Sequence, residues 1–101
     1  MAATLRINDK TLISEARERQ VSTNFDDEVI IMETEKGLYY QLNEVGAVIW
    51  RTIQRTPSRL PELVSAVMSE FEVSEEQCRG DIVKLIEDLH AAGLVVLDES
   101  P

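Results

Sequence analysis

The sequence predicts an α+β domain in which a three-stranded antiparallel meander is followed by three helices. Three observations carry that reading. Between Gln20 and Leu42 lie three short runs rich in β-branched and aromatic residues, separated only by turn residues. From Asn43 onward, apolar residues recur at the i, i+3, i+4, i+7 spacing of a helix face. The breaks between the helical runs carry capping residues or proline.

In the first strand, Val21, Thr23 and Phe25 alternate with polar neighbours, as in a strand with one face buried. Asp26-Asp27 makes a tight turn into "EVIIMET", where Val29 to Met32 are apolar at every position, so both faces of this strand need cover. The helices are expected on one face. The N-terminal segment, with Leu5, Ile7, Leu12 and Ile13, is expected on the other. The loop Glu35-Lys36-Gly37 supplies glycine where a hairpin needs positive φ. "LYYQL" then forms the third strand, which sits at an edge of the sheet.

Asn43 caps a helix carrying Val45, Val48, Ile49 and Ile53, with Trp50 beside them, and this helix stops before Pro57. Ser58 is expected to cap the second helix, which bears Leu60, Leu63, Val64, Val67, Met68 and Phe71. Ser74 opens the third, with Gln77 completing an S-x-x-Q capping box, and Gly93 closes it. "LVVL" then packs back on the core or adds a short strand. This β-β-β-α-α-α order makes a domain like a winged helix-turn-helix.

The whole chain, 1–101, reads as one domain with its core between about residues 20 and 97, the segment 1–19 packing on the sheet, and "LDESP" a loose end. No apolar run approaches the roughly 20 residues of a membrane helix, and the N-terminus lacks a signal-peptide pattern. One cysteine forms no internal disulfide, which suits a cytoplasmic protein. A net charge of −9 disfavours nucleic acid and anionic membranes and favours basic peptides or proteins.

Chemistry finds little to use. Cys78 and His90, on one helix, are twelve residues apart. That is about 18 Å along the axis, against the roughly 3 Å that a nucleophile and its base require. The chain has one histidine and one cysteine, too few for a zinc site of the usual kind, and no glycine-rich phosphate loop. No cofactor, metal or catalytic residue is expected. DNA reading is the rival suggested by the topology, but the would-be recognition helix carries Glu75, Glu76, Asp81, Glu87 and Asp88 against Arg79 and Lys84. Phosphates would be repelled.

On that third helix, Ile82, Leu85, Ile86 and Leu89 form the core stripe at 100° per residue. Val83 stands about 100° from Ile82, on a shoulder with Arg79 and His90 that Ile86 borders. It is either a peripheral core residue or the lining of a groove beside the sheet edge.

Three passages, "GLYYQLNEVGAVIW", "LPELVSAVMSEFEVS" and "DIVKLIEDLHAAGLV", resemble the PqqD-like family of peptide chaperones, with similarity from about Val21 to Val95. The "YYQLNEVGA" junction is the most specific part. The resemblance implies a stand-alone recognition domain for ribosomally synthesised, post-translationally modified peptides. It implies that the leader of a precursor peptide adds to the third strand, in a groove shared with the third helix. Carried onto this chain, the binding residues are Leu38, Tyr39, Tyr40, Gln41 and Leu42, with Arg79, Val83, Ile86 and His90. The wording "YYQLN" is most similar to members from lasso-peptide pathways, where the partners are a leader peptidase and a macrocyclase. A chaperone for a radical enzyme in quinone-cofactor synthesis, a winged-helix DNA-binding regulator and a structural or regulatory subunit are the alternatives.

Overall fold

The computed structural model of the chain describes residues 7–99. Strand β1 (Leu12–Glu15) leads through a 3-10 turn at Arg17–Arg19 into the meander of β2 (Gln20–Phe25), β3 (Glu28–Glu33) and β4 (Leu38–Leu42). Then follow α1 (Glu44–Arg55), the two-residue β5 (Ser58–Arg59), α2 (Leu60–Met68), α3 (Glu75–Ala91) and β6 (Val95–Asp98). The expected α+β order of meander then three helices is the one observed.

In the meander β3 runs antiparallel between its neighbours, with Met32 opposite Val21 and Tyr39, and Ile31 opposite Ser22 and Tyr40. Both connections use left-handed backbone. Asp26 has φ 56° and Gly37 φ 71°, conformations that glycine adopts freely and aspartate tolerates better than bulky residues do.

Cross-strand partners share a face, so the register sorts the sheet. Val29, Ile31 and Glu33 are buried on the inner face, with Ser22 and Asn24 from β2 and Tyr40 and Leu42 from β4. Val21, Thr23 and Phe25 therefore lie on the outer face, where Val21 is 56% and Phe25 62% exposed. This reverses the burial their alternation suggested. The reason is on α1: Trp50 Nε1 and Gln54 Nε2 both donate to Ser22 Oγ (3.2 and 3.0 Å), and Arg51 Nε donates to Asn24 Oδ1 (2.9 Å). A buried indole N–H needs an acceptor, and the polar side of β2 supplies it.

Nor does the N-terminal segment cover the outer face. β1 lies between β5 and β6 in a second small sheet, with Leu12 opposite Asp98 and Ile13 opposite Leu97. A lone C-terminal strand would leave half-buried backbone groups unpaired. β1 satisfies them while Ile13 becomes fully buried in the core. Leu97 and Asp98 are thereby part of β6 rather than a loose end, and Leu5 lies outside the described residues.

The helices are held at their ends by local hydrogen bonds. Asn43 Oδ1 accepts from Gly46 N (3.0 Å) at the start of α1, and Ser74 Oγ from Gln77 N (3.2 Å) at the start of α3. The cap of α2 is Arg59, one residue past the expected Ser58; its N–H donates to Glu62 Oε1 (2.8 Å) while Ser58 pairs with Ile13 in β5. At the end of α3, Gly93 (φ 78°) donates to His90 O and Leu94 to Leu89 O. This is the Schellman pattern, and it turns the chain into β6. Trp50, Ile53, Leu60, Leu63, Ile82 and Ile86 meet Val29 and Ile31 in one core.

Candidate functional site

β4 is an edge strand. Its inner neighbour is β3, and no described strand pairs with its other side. Alternate residues of such a strand point backbone N–H and C=O groups outward, ready for another strand. β2 is also an edge, but its inner-face groups Ser22 and Asn24 are engaged by α1. The end of β4, by contrast, borders a largely apolar concavity.

That concavity has a volume of about 420 Å³ and is lined by Gln41, Leu42, Asn43, Val45, Gly46, Ile49, Asp81 and Leu85. Its floor is set by a close approach between the end of β4 and the first turn of α1. A Cβ on Gly46 would stand 3.1 Å from the Leu42 Cβ, closer than most side chains tolerate. Glycine here costs helix propensity of about 1 kcal/mol and lets the helix seat against the strand.

The hairpin that presents β4 is clamped by a single carboxylate. Glu33 is 4% exposed, and its Oε1 and Oε2 accept from the backbone N–H groups of Lys36 and Glu35, each at 2.8 Å. The Lys36 bond, with smaller help from Glu35 and from the Lys36 and Arg19 charges, holds the Glu33 carboxyl below its usual range against the opposing effect of burial. Gly37 N donates to Glu33 O (2.9 Å), and Thr34 N to Arg19 O (2.9 Å). The edge strand is therefore fixed before any ligand arrives.

Of the residues expected to bind, the five on β4 divide by face. Tyr39 is 70% exposed on the outer face, whereas Tyr40 is partly buried against the core, so it is Tyr40 that faces inward. Gln41 donates to Glu28 Oε1 (2.6 Å), Leu38 is half exposed, and Leu42 is buried at the groove wall.

The four expected on α3 do not border this groove. Ile86 is fully buried core. Arg79 pairs with Asp9 at a separate concavity of about 580 Å³, which Pro61, Val64 and Met68 also line. Val83 and His90 lie within about 40° of Arg79 on the helix wheel and share its side. The groove is bordered by the opposite shoulder, through Asp81 and Leu85. Leu85, expected in the core stripe, is only partly buried, and Asp81 is exposed beside it. On the other shoulder, Arg79 pairs with Asp9 beside the concavity that α2 lines. Asn43, Val45, Gly46 and Ile49 also went unnoticed as lining residues. The one legible signal was Gly46, a glycine inside the first turn of a helix.

Among the described residues that line the groove there is no histidine, cysteine or serine. Cys78 is buried, and burial, followed by the Asp81 and Glu75 charges, raises its thiol pKa, opposite to the lowering that activates a nucleophilic cysteine. Among the described residues no group of three His, Cys, Asp or Glu is placed to hold a metal, and no helix is long and apolar enough to cross a membrane.

Known proteins provide the context for this geometry. The family model described as Coenzyme PQQ synthesis protein D (PqqD) matches residues 28–95. No match was found among curated proteins. Two solved structures share the fold. One, described as TbiB1 in complex with the TbiA(beta) leader peptide, is 26% identical with a TM-score of 0.69, over 90% of this chain and 94% of that one. The other, lasso peptide synthetase B1 complexed with the leader peptide, is 21% identical with a TM-score of 0.72, over 83% of this chain and 96% of that one.

Proposed function

The chain belongs to the PqqD family, and from that premise we propose that it is a non-catalytic, cytoplasmic adaptor for a ribosomally made precursor peptide. It captures the leader segment by β-strand addition on β4 and presents the precursor to a maturation enzyme, a leader peptidase or cyclase of the lasso type. The observation that carries this reading is the open β4 edge bordering an apolar groove, in a fold shared with two proteins solved with leader peptides. Main-chain hydrogen bonds supply affinity in such an addition, and side-chain pockets supply choice. The resemblance of "YYQLN" to lasso-pathway members, in a fold shared with lasso peptide synthetase B1, favours the lasso pathway over a quinone-cofactor pathway. The acidic exposed side of α3 argues against a DNA-binding regulator.

Strand addition with two or three anchored side chains gives about −8 to −10 kcal/mol after ordering costs, a Kd from tens of nanomolar to low micromolar. The test is to titrate the isotope-labelled chain with a synthetic leader of the precursor encoded beside it. Slowed exchange and shifted resonances at the β4 amides of residues 38–42 are expected, with no turnover of the peptide. Cleavage by the isolated chain, or binding that leaves β4 unperturbed, refutes the adaptor reading.

A further inference from the structure

Three polar side chains line the groove beside β4: Gln41, Asn43 and Asp81. Two are already committed. Gln41 Nε2 donates to Glu28 Oε1, and Asn43 Oδ1 accepts the N–H of Gly46 at the start of α1. Asp81 makes no hydrogen bond or ion pair with any described residue, including Lys84 one turn along α3. The remaining lining is Leu42, Val45, Gly46, Ile49 and Leu85. One carboxylate without a hydrogen bond or ion pair to a described residue therefore stands at the wall of a slot otherwise lined by aliphatic and amide side chains.

A carboxylate only accepts hydrogen bonds. Covering it with a docked strand strips its water, which is costly unless a cation or donor replaces that water. A lysine or arginine does so best, because its methylene stem lies along apolar surface while its head reaches the acid. The spacing also suits a strand. Asp81 and Leu85 are four residues apart, about 6 Å along a helix, close to the roughly 6.6 Å between alternate side chains of a strand. A docked strand that runs alongside α3 can thus offer an apolar side chain to Leu85 and, two residues away, a cation to Asp81.

Building on the proposed strand addition, we infer that Asp81 is a specificity-determining residue that selects leaders carrying lysine or arginine two positions from a large apolar anchor. A leader with an acidic or apolar residue there is rejected by the unpaired carboxylate. This is discrimination by penalty as much as by attraction.

The experiment selects peptides from one random-sequence display library on the full chain and on its Asp81→Asn and Asp81→Lys variants. Asp81 is exposed, so both variants fold, and thermal melts check this. Peptides whose binding shifts the amides of residues 38–42 are then sequenced and titrated. Peptides selected on the parent chain are expected to carry Lys or Arg beside an apolar anchor and to lose about tenfold in affinity, or roughly 1.4 kcal/mol, on Asp81→Asn. Asp81→Lys is expected to select Asp or Glu at that position. Peptides that dock on β4 without a basic preference, and bind Asp81→Asn as tightly, overturn the role of Asp81 and leave strand addition standing. If no peptide selected on any of the three chains docks on β4, strand addition itself falls, and the Asp81 inference with it.

Discussion

Replacing Leu85 and Val83, each by glutamate, separates the two shoulders of α3. Both residues are partly buried aliphatics packed against the core, and they stand about 160° apart on the helix wheel. Only Leu85 lines the groove beside β4. Full burial of such a side chain is worth about 1.5–3 kcal/mol, so with part of each already in water either substitution costs about 1–2 kcal/mol. In the free chain each new carboxylate reaches solvent, and both variants stay folded. With a strand docked on β4 the consequences diverge. The glutamate in Leu85→Glu is covered one turn from Asp81, beside a like charge and with no partner, which costs several kcal/mol and at least about 100-fold in affinity. Val83→Glu lies away from the strand and leaves affinity within about threefold, or roughly 0.7 kcal/mol. Ile86→Ala serves as the core control, losing about 2–5 kcal/mol of stability because Ile86 is wholly buried. Urea melts give the stabilities, and titration with a β4-docking peptide gives the affinities. If Val83→Glu abolishes docking while Leu85→Glu binds normally, the groove assignment is on the wrong side of the helix.

Gly46→Ala gains helix propensity of about 1 kcal/mol but sets a methyl 3.1 Å from the Leu42 Cβ; stability is expected to stay near that of the parent while peptide affinity drops, read by melts and titration together. Glu33→Gln is expected to destabilise the β3–β4 hairpin at neutral pH. Because the folded carboxyl is held below its usual range, its contribution is present above that range and lost as pH falls through the lowered value. The gap between parent and variant should therefore close on acidification, as denaturant melts along a pH series will show. With a net charge of −9, association of a lysine-bearing leader is expected to slow as salt rises and the Debye length shrinks from about 10 Å at 0.1 M to about 3 Å at 1 M. A flat stopped-flow rate would mean the acidic surface plays no part in capture.

The local features of this fold can be read directly from its residues. Asp26, Gly37 and Gly93 were legible as turn residues because positive φ favours few residue types. Asn43 and Ser74 were legible as caps because their side chains answer backbone N–H groups three residues away. The element order followed, and with it β4 as an edge strand. Tertiary structure decided everything that depends on a partner distant along the chain. Alternation in Val21–Phe25 reveals that two faces differ but not which is inward; the donors of Trp50, Arg51 and Gln54 drew Ser22 and Asn24 in and turned Val21 and Phe25 out. β1 meets β6 across most of the chain, Leu12 opposite Asp98, a pairing no local pattern announces. On α3 the helical period defines the apolar arc but not which of its shoulders stands beside β4. Arg79 stands beside Asp9 and α2, and Asp81 and Leu85 line the concavity at the edge strand. A period of 3.6 residues sets the angles around one helix, whereas the neighbour each angle meets is fixed only when all the helices and sheets share one core.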